Sequence, residues 1–248
     1  MSTVYILWLR QIKRYFRSRS RIVGSLGQPI LFLVALGFGF GPVFRRAGQG
    51  SYIQFLVPGI IAMSILFTSI FSGIEIIWDR QFGFLKETLV APVSRLEIMV
   101  GRTLGGATVA IFQGVIVFFI SLFAGFRLPG VHALIPTFVF MLLIAVLFTA
   151  LGTAIASKLE DMQGFQLIMN FLIMPLFFLS GALFPLDGVP TVLATIVRFD
   201  PLSYGVDGLR SALVGTSHFG FTVDLTILSV LTFFLLILGS YLFSKIEI

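Results

Sequence analysis

Charged side chains are scarce in this sequence. Only 11% of its 248 residues are Asp, Glu, Lys or Arg, whereas 57% are hydrophobic, and the mean hydropathy is +1.04. A soluble domain carries about 25% charged residues. The sequence therefore has too few polar side chains to cover a surface in water, which excludes an ordinary soluble domain. We expect most of its surface to face lipid.

Residues that carry catalysis or bind metals are also scarce. Cysteine is absent and histidine occurs only twice, which excludes disulfides, thiolate metal sites and a histidine-rich metal cluster. The sequence contains no G-x-x-x-x-G-K-[ST] phosphate loop, no H-E-x-x-H and no G-x-S-x-G motif. We therefore expect no catalytic residues, no metal and no cofactor in this chain, and no ATP hydrolysis by the chain itself.

Six runs of at least 20 residues contain no charged side chain: 22–44, 47–74, 103–126, 128–157, 162–186 and 225–244. A helix needs roughly 20 apolar residues to cross a hydrocarbon core of about 30 Å. The runs do not alternate in polarity as the strands of a membrane β-barrel do. The sequence predicts an all-α integral membrane protein whose six spans cover about 23–43, 53–78, 98–126, 134–156, 163–184 and 222–243.

The distribution of Lys and Arg predicts the orientation. If the N-terminus is cytoplasmic, 12 of the 17 Lys and Arg residues lie on the cytoplasmic side and 5 on the other. We expect the chain in the plasma or inner membrane. Short cytoplasmic segments are enriched in Lys and Arg, so both termini are expected in the cytoplasm. The net charge of +6 then reflects topology, and we expect no nucleic-acid partner.

Residues 1–21 have the pattern of a basic amphipathic helix. At 100° per residue, one arc holds the apolar side chains Val4, Tyr5, Trp8, Leu9, Ile12, Tyr15 and Phe16, and the opposite side holds Arg10, Lys13, Arg14 and Arg17. Such a helix lies in the membrane interface. The alternative is a basic tail that only sets topology. We take residues 1–21 as this interfacial helix and 22–248 as the membrane domain.

Residues 79–97 join the second and third spans and mix charges with large apolar side chains. Gly83 and Pro92 limit a segment of about two helical turns that begins at Phe84. One interpretation is a short helix that inserts into a groove of a partner protein. The other is an interfacial helix that buries Phe84 and Leu85 in lipid.

Two polar residues fall inside the predicted spans. Glu75 lies near the cytoplasmic end of the second span, where it either lines a transport pathway or is hydrated at the interface. Asn170 lies within the fifth span and is expected to bond another helix, with a position on the pathway as the alternative.

The connection between spans five and six holds two apolar stretches too short to cross the membrane. We expect two short helices in the outer leaflet within residues 186–220. Asp200 and Pro201 are typical of a helix start, and Gly215 is typical of a helix end. Asp207 and Arg210 are three residues apart and could pair.

Two other functions stay open on the residues alone. Asp187, Asp200 and Asp207 could hold a metal in an intramembrane enzyme that acts on lipids. A passive channel is the second alternative, although no predicted span carries a ring of charges or a filter-like sequence.

Three stretches together resemble the membrane subunit of a type-2 ABC exporter, of the daunorubicin-resistance kind and more distantly of the polysaccharide-export kind. The first is the basic amphipathic N-terminal segment. The second, "DRQFGFLKETLVAPVSRLEIMVGR", is similar to the first cytoplasmic loop of that family at Gly83, Leu85, Glu87, Pro92, Ser94 and Arg95. The third, "FLSGALFPLDGVP" with "FDPLSYGVDGLR", resembles the family signature at Gly181, Pro185, Pro201, Tyr204 and Arg210.

The resemblance implies a function and partners. The coupling helix would consist of Gly83, Phe84, Leu85, Lys86, Glu87 and Thr88. It would dock into a separate ATP-binding subunit that carries ATP and Mg²⁺. Two copies of the permease, most simply a homodimer in membrane lipid, would pair with two such subunits and export a drug-like, lipid or glycolipid substrate. Phe84 departs from the family, where a small or hydroxylated residue is common.

Overall fold

The structure is a computed structural model that describes residues 3–46, 50–84, 93–159 and 161–245, and these residues form helices and no strand. Six helical segments are long and apolar enough to cross a membrane, which confirms the predicted all-α fold. They are Arg19–Arg46, Tyr52–Gln81, Arg95–Phe123, Val131–Lys158, Met162–Leu179 and Phe221–Phe243. We call the end of the bundle at which the second span ends and the third span begins the inner face, and the opposite end the outer face.

The second span lies at the centre of the bundle. In the most apolar 18 residues of this span, 72% of the residues are buried. The corresponding fraction is 17% in the first and sixth spans and 22% in the fifth. Glycine allows its close contacts, because a Cβ at Gly59 would lie 2.2 Å from the carbonyl oxygen of Ala182. The span is divided at Gly73 into the helices Tyr52–Ser72 and Ile74–Gln81.

The N-terminal helix Thr3–Arg17 packs lengthwise along the third span. Gly101 and Gly105 form a groove for it, since a Cβ at Gly105 would lie 2.6 Å from the Cβ of Gln11. The buried stripe of the helix is Leu7, Gln11 and Tyr15. Of these three, Tyr15 belongs to the apolar arc listed from the sequence, whereas Leu7 and Gln11, which face the third span, lie outside it.

The two short helices predicted between spans five and six are present, as Thr191–Phe199 and Pro201–Val214. The side chain of Asp200 accepts a hydrogen bond from the backbone N–H of Leu202, and Gly215 ends the second helix with a φ of +80°. Both predicted ends are confirmed. The second helix packs against the second, fourth and sixth spans, and most of its residues are buried.

The fifth span contains a π-helical segment, Met169–Ile173, between the α-helices Met162–Ile168 and Met174–Leu179. Asn170 lies in this segment with its side chain exposed, and in the described part of the chain it has no hydrogen bond to another helix. The π-helical segment presents Asn170 on the surface of the bundle, so the expected bond is not made within the described part of one chain. A bond from Asn170 to a helix of another chain, or a position on the pathway, stays a prediction.

Candidate functional site: polar clusters at the two ends of the second span

The inner end of the second span carries two buried carboxylates among four arginines. We call this group the charged cluster, and it consists of Arg10, Arg14, Arg21, Glu75, Asp79 and Arg102. Asp79 accepts a hydrogen bond of 2.6 Å from Arg102 and one of 3.2 Å from Arg10. The side chains of Asp79 and Arg102 are 7% and 3% exposed. Within the described residues Arg102 pairs with Asp79, whereas Asp79 also pairs with Arg10 and Arg14.

Glu75 joins the N-terminal helix and the first span to the second span. Its carboxylate pairs with Arg21, and it lies 3.6 Å from Arg14. The side chain is only 5% exposed. The interpretation of Glu75 as a carboxylate hydrated at the interface is therefore wrong, because two arginines replace water as its partners.

The segment that follows Asp79 is held by three elements. The guanidinium of Arg80 donates to the backbone carbonyls of Leu159 and Ser157 at the inner end of the fourth span, at 3.0 and 3.2 Å. The guanidinium of Arg10 stacks on the ring of Phe84, 3.8 Å from its centroid. Together with the bond from Arg102 to Asp79 in the charged cluster, these contacts fix the chain up to residue 84 on the N-terminal helix and on the third and fourth spans.

The predicted coupling helix is described only at its start. Gly83 has a φ of +79°, which L-residues rarely adopt, and it follows the end of the helix Ile74–Gln81. The helix break predicted at Gly83 is thus confirmed, and Phe84 contacts Arg10. The remaining predicted residues, Leu85, Lys86, Glu87 and Thr88, lie outside the described residues. So does Pro92.

The third span starts with a complete cap directly after this loop. The hydroxyl of Ser94 accepts from the N–H of Glu97, and the carboxylate of Glu97 accepts from the N–H of Ser94. This reciprocal pair satisfies two N–H groups at the helix start, so the third span has a defined first turn at Arg95.

A cavity of about 640 Å³ opens between the first and second spans and reaches Met162 at the start of the fifth span. Arg14, Arg21 and Glu75 of the charged cluster lie at its wall, and Phe67 and Phe71 supply part of its apolar lining. The serine, threonine and glutamine side chains in its lining are Ser18, Ser20, Ser25, Gln28, Ser64 and Thr68. The lining is amphipathic: one end is charged and the interior mixes hydroxyls with apolar groups.

Near the outer end, the predicted signature residues surround the second span. Arg210 donates a hydrogen bond of 2.9 Å to the carbonyl of Gly181, and its guanidinium lies 4.1 Å from the centroid of the Phe55 ring. Gly181 has a φ of +74°, which aims its carbonyl at Arg210. Burial lowers the pKa of the Arg210 guanidinium to about 10, so the side chain is still charged at neutral pH.

The other signature residues have separate positions. Pro201 occupies the first turn of its helix, and the hydroxyl of Tyr204 donates to the carbonyl of Arg198 at 2.7 Å. Pro185 lines a cavity of about 510 Å³ that also contacts Arg210. The structure thus brings together Gly181, Pro185 and Arg210, whereas Pro201 starts the second short helix and Tyr204 bonds it to the first.

The predicted pair of Asp207 and Arg210 is not formed. The carboxylate of Asp207 accepts from the backbone N–H groups of His218 and Phe219, at 2.8 Å, and from the hydroxyl of Ser217 at 2.9 Å. These three donors occupy the carboxylate, so the Arg210 side chain turns to Gly181 instead.

The three aspartates considered for a metal have different partners. Asp187 contacts the ring nitrogen of His218 at 3.1 Å, Asp200 caps a helix, and Asp207 holds a turn. Burial is the largest effect on Asp200 and raises its pKa to about 7. Among residues 3–46, 50–84, 93–159 and 161–245, no three His, Asp or Glu side chains lie close enough to hold a metal ion.

Sequence reasoning missed the charged cluster, apart from Glu75. Arg10, Arg14, Arg21 and Arg102 enter the sequence analysis only as basic residues that set the topology or the polar face of the N-terminal helix, and Asp79 enters only as the first residue of the loop 79–97. A usable signal was present, since Glu75 and Asp79 are four residues apart on one helix, as are Arg10 and Arg14. Residues four apart share a helix face, so two complementary faces could have been matched.

Comparison with known proteins agrees with this architecture. The ABC-2 type transporter family matches residues 2–214. The chain is 29% identical to the putative transport permease ycf38 of Cyanophora paradoxa, over 95% of this chain and 87% of that protein. It is 30% identical to nodulation protein J of Rhizobium leguminosarum bv. trifolii, over 85% of this chain and 78% of that protein. Identity to the inner membrane transport permease YadH of Escherichia coli K12 is 28%, with coverages of 84% and 82%.

The family match covers most of the chain and includes the charged cluster, the loop after it and the outer signature. The six apolar helices have the length and composition of a multi-pass membrane protein. The chain therefore belongs to the ABC-2 type transporter family and is a multi-pass membrane permease.

Proposed function

We propose that this chain is the permease subunit of an ATP-driven exporter, and that the loop 79–97 is where a separate ATP-binding subunit docks. Membership of the family implies such a partner. The observation that carries the proposal is the set of contacts around Asp79, Arg80 and Phe84, which link the start of the loop to the N-terminal helix and to the third and fourth spans.

These contacts support a mechanical role for the loop. A helix seated in the groove of a moving subunit transmits force only if its base is fixed to the spans. The ion pair of Asp79 with buried Arg102 and the bonds of Arg80 to the fourth span provide that base. Closure of two ATP-binding subunits would then shift the spans as rigid bodies between two states.

The substrate class follows from the cavity beside the charged cluster. Its volume of about 640 Å³ lies within the range of sites for small molecules. Hydroxyl and amide side chains suit the polar end of a ligand, and Phe67 and Phe71 suit an apolar tail. We therefore propose an amphipathic substrate, such as a drug-like molecule, a lipid or a glycolipid.

The exposed spans support assembly with a second copy. The first and fifth spans are mostly unburied within one chain and carry large apolar side chains, including Phe38, Phe40 and Phe171. We propose a homodimer that joins these spans, two ATP-binding subunits that carry ATP and Mg²⁺, and both termini in the cytoplasm. The orientation has its support in the Lys and Arg distribution.

The first test is co-purification from native membranes in mild detergent. We compare the wild type with the double variant Phe84→Ala/Glu87→Lys. The matched control is Phe199→Ala/Asp187→Lys, the same two kinds of change at exposed positions of the outer region. We expect ATPase activity to accompany the wild type and the control and to be lost with the loop variant.

Other outcomes would contradict the proposal. If no ATPase accompanies any of the three proteins, the proposal that the loop docks an ATP-binding subunit fails. Ion current through the purified chain without ATP would favour a passive channel. Turnover of a lipid that depends on Asp187, Asp200 or Asp207 would favour an enzyme. Thermal unfolding of each variant separates loss of docking from loss of fold.

A further inference from the structure

The N-terminal helix and the start of the first span enclose a basic cleft on the side of that helix that faces away from the third span. Its volume is about 1110 Å³. Tyr5, Ile6 and Leu9 line one part of it, and basic side chains together with Ser18 and Ser20 line the rest. The basic residues of the cleft are Arg10, Lys13, Arg14, Arg17 and Arg19.

Three of these basic residues differ from the other two in their contacts. Arg10 and Arg14 pair with Asp79 and Glu75 of the charged cluster. In the described part of the chain, by contrast, Lys13, Arg17 and Arg19 form no ion pair and no side-chain hydrogen bond, and all three are exposed. No Asp or Glu precedes Glu75 in the sequence, so the N-terminal helix and the first span supply no carboxylate to balance Lys13, Arg17 and Arg19.

We propose that this cleft binds the headgroup of an acidic phospholipid of the surrounding membrane. Guanidinium and ammonium groups bind phosphate oxygens through charge-assisted hydrogen bonds, and Lys13, Arg17 and Arg19 supply them. The apolar wall at Ile6 and Leu9 accepts the start of an acyl chain, which a soluble anion lacks. Clusters of basic residues on an amphipathic helix at the membrane surface attract acidic lipids, and each charge adds to the affinity.

The site lies directly beside the charged cluster, because Arg10 and Arg14 line both. It borders the cavity between the first and second spans that we assign to substrate, and Arg14, Ser18 and Ser20 line both. Lys13, Arg17 and Arg19 line only the cleft. The lipid is proposed as a resident component of the permease, and its binding does not depend on the exporter proposal.

The test uses the purified full-length chain in detergent, without an ATP-binding subunit. Binding of fluorescent phosphatidylglycerol is measured against fluorescent phosphatidylcholine for the wild type and for Lys13→Gln/Arg17→Gln/Arg19→Gln. The matched control is Arg45→Gln/Arg46→Gln, a basic pair at the other end of the helix that begins at Arg19. We expect the triple variant to bind phosphatidylglycerol about 100-fold more weakly, at about fivefold per charge, and the control to bind it as the wild type does.

Several results would overturn the inference. Unchanged affinity in the triple variant would show that the cleft is not the site. An equal loss in the Arg45 and Arg46 control would indicate a general effect of surface charge. Competition by glycerol 3-phosphate or a short RNA at the affinity of phosphatidylglycerol would indicate a soluble ligand. The changes are at exposed positions, so we expect the unfolding temperature in phosphatidylcholine to stay within about 2 °C of the wild type. A larger fall would show that these side chains are structural, which also contradicts the proposal.

Discussion

The ion pair between Asp79 and Arg102 yields the sharpest prediction about stability. Replacing Asp79 with Ala leaves the guanidinium of Arg102 buried, 3% exposed, without its only hydrogen-bond acceptor, because its other two nitrogens already lack a partner in the described residues. Breaking a buried pair by removing one partner costs about 3–5 kcal/mol. We expect a loss of that size for Asp79→Ala.

Replacing Arg102 should lower the free energy of unfolding less than replacing Asp79 does, because Asp79 has other ion-pair partners. In Arg102→Leu, Asp79 keeps Arg10 at 3.2 Å and Arg14 at 3.7 Å. Both arginines are about one-third exposed, so each contributes no more than about 1 kcal/mol, but they spare the carboxylate from isolation. The double variant Asp79→Leu/Arg102→Leu removes both buried charges, and apolar replacement of such a pair is often neutral or stabilising.

The assay is equilibrium unfolding in mixed micelles, supported by thermal unfolding of the same samples. For a chain of this size, about 4 kcal/mol corresponds to a fall of roughly 8–16 °C in the unfolding temperature. Asp187→Ala, which removes an exposed carboxylate, is the control and should change stability by less than about 0.5 kcal/mol. Equal losses for the two single variants, or a double variant that loses the sum of both, would refute the reasoning.

Three further changes test other parts of the structure. Gly59→Ala places a Cβ 2.2 Å from the carbonyl oxygen of Ala182 and should cost about 1–3 kcal/mol or more in thermal unfolding, whereas Gly39→Ala, with open space around it, should cost nothing. The pKa of Asp200 is raised to about 7 in the fold. Its contribution to the free energy of unfolding, at most about 4 kcal/mol, is therefore fully present below about pH 4 and is lost as the pH rises through 7. The unfolding temperature of Asp200→Asn should lack this pH dependence. Asp224 is buried and neither carboxylate oxygen has a hydrogen-bond donor in the described residues, so Asp224→Asn should raise the unfolding temperature, and a fall would contradict this description of the site.

The spans could be predicted from the sequence because their signal is local. A helix in lipid satisfies its own backbone, and a run of about 20 uncharged residues is required whatever its neighbours are. The ends of the helix Pro201–Val214 were predictable for the same reason, since Asp200 and Gly215 act within one turn.

The environment of each helix was less predictable, because periodicity identifies a face without identifying what covers it. The N-terminal helix shows this: its strongest packing uses Leu7 and Gln11, which enter a groove that Gly101 and Gly105 leave in a helix about 100 residues away. The prediction that Glu75 is hydrated at the interface failed for the same reason. Its partners Arg14 and Arg21 come from an earlier part of the chain, and nothing near Glu75 in sequence points to them.

The second span explains why residues so far apart in sequence belong to one candidate site. Near its outer end Phe55 lies under Arg210, and at its inner end Asp79 is bonded to Arg102. The helix between them is largely buried and is interrupted only at Gly73, where a Cβ would lie 2.4 Å from the carbonyl oxygen of Gly152. Because close-packed helices move as units, a displacement imposed on Asp79 must either carry Phe55 with it or be taken up at Gly73. The outer signature and the start of the inner loop are therefore connected by one helix that is divided at Gly73, and a sequence pattern that marks both ends contains no information about that connection.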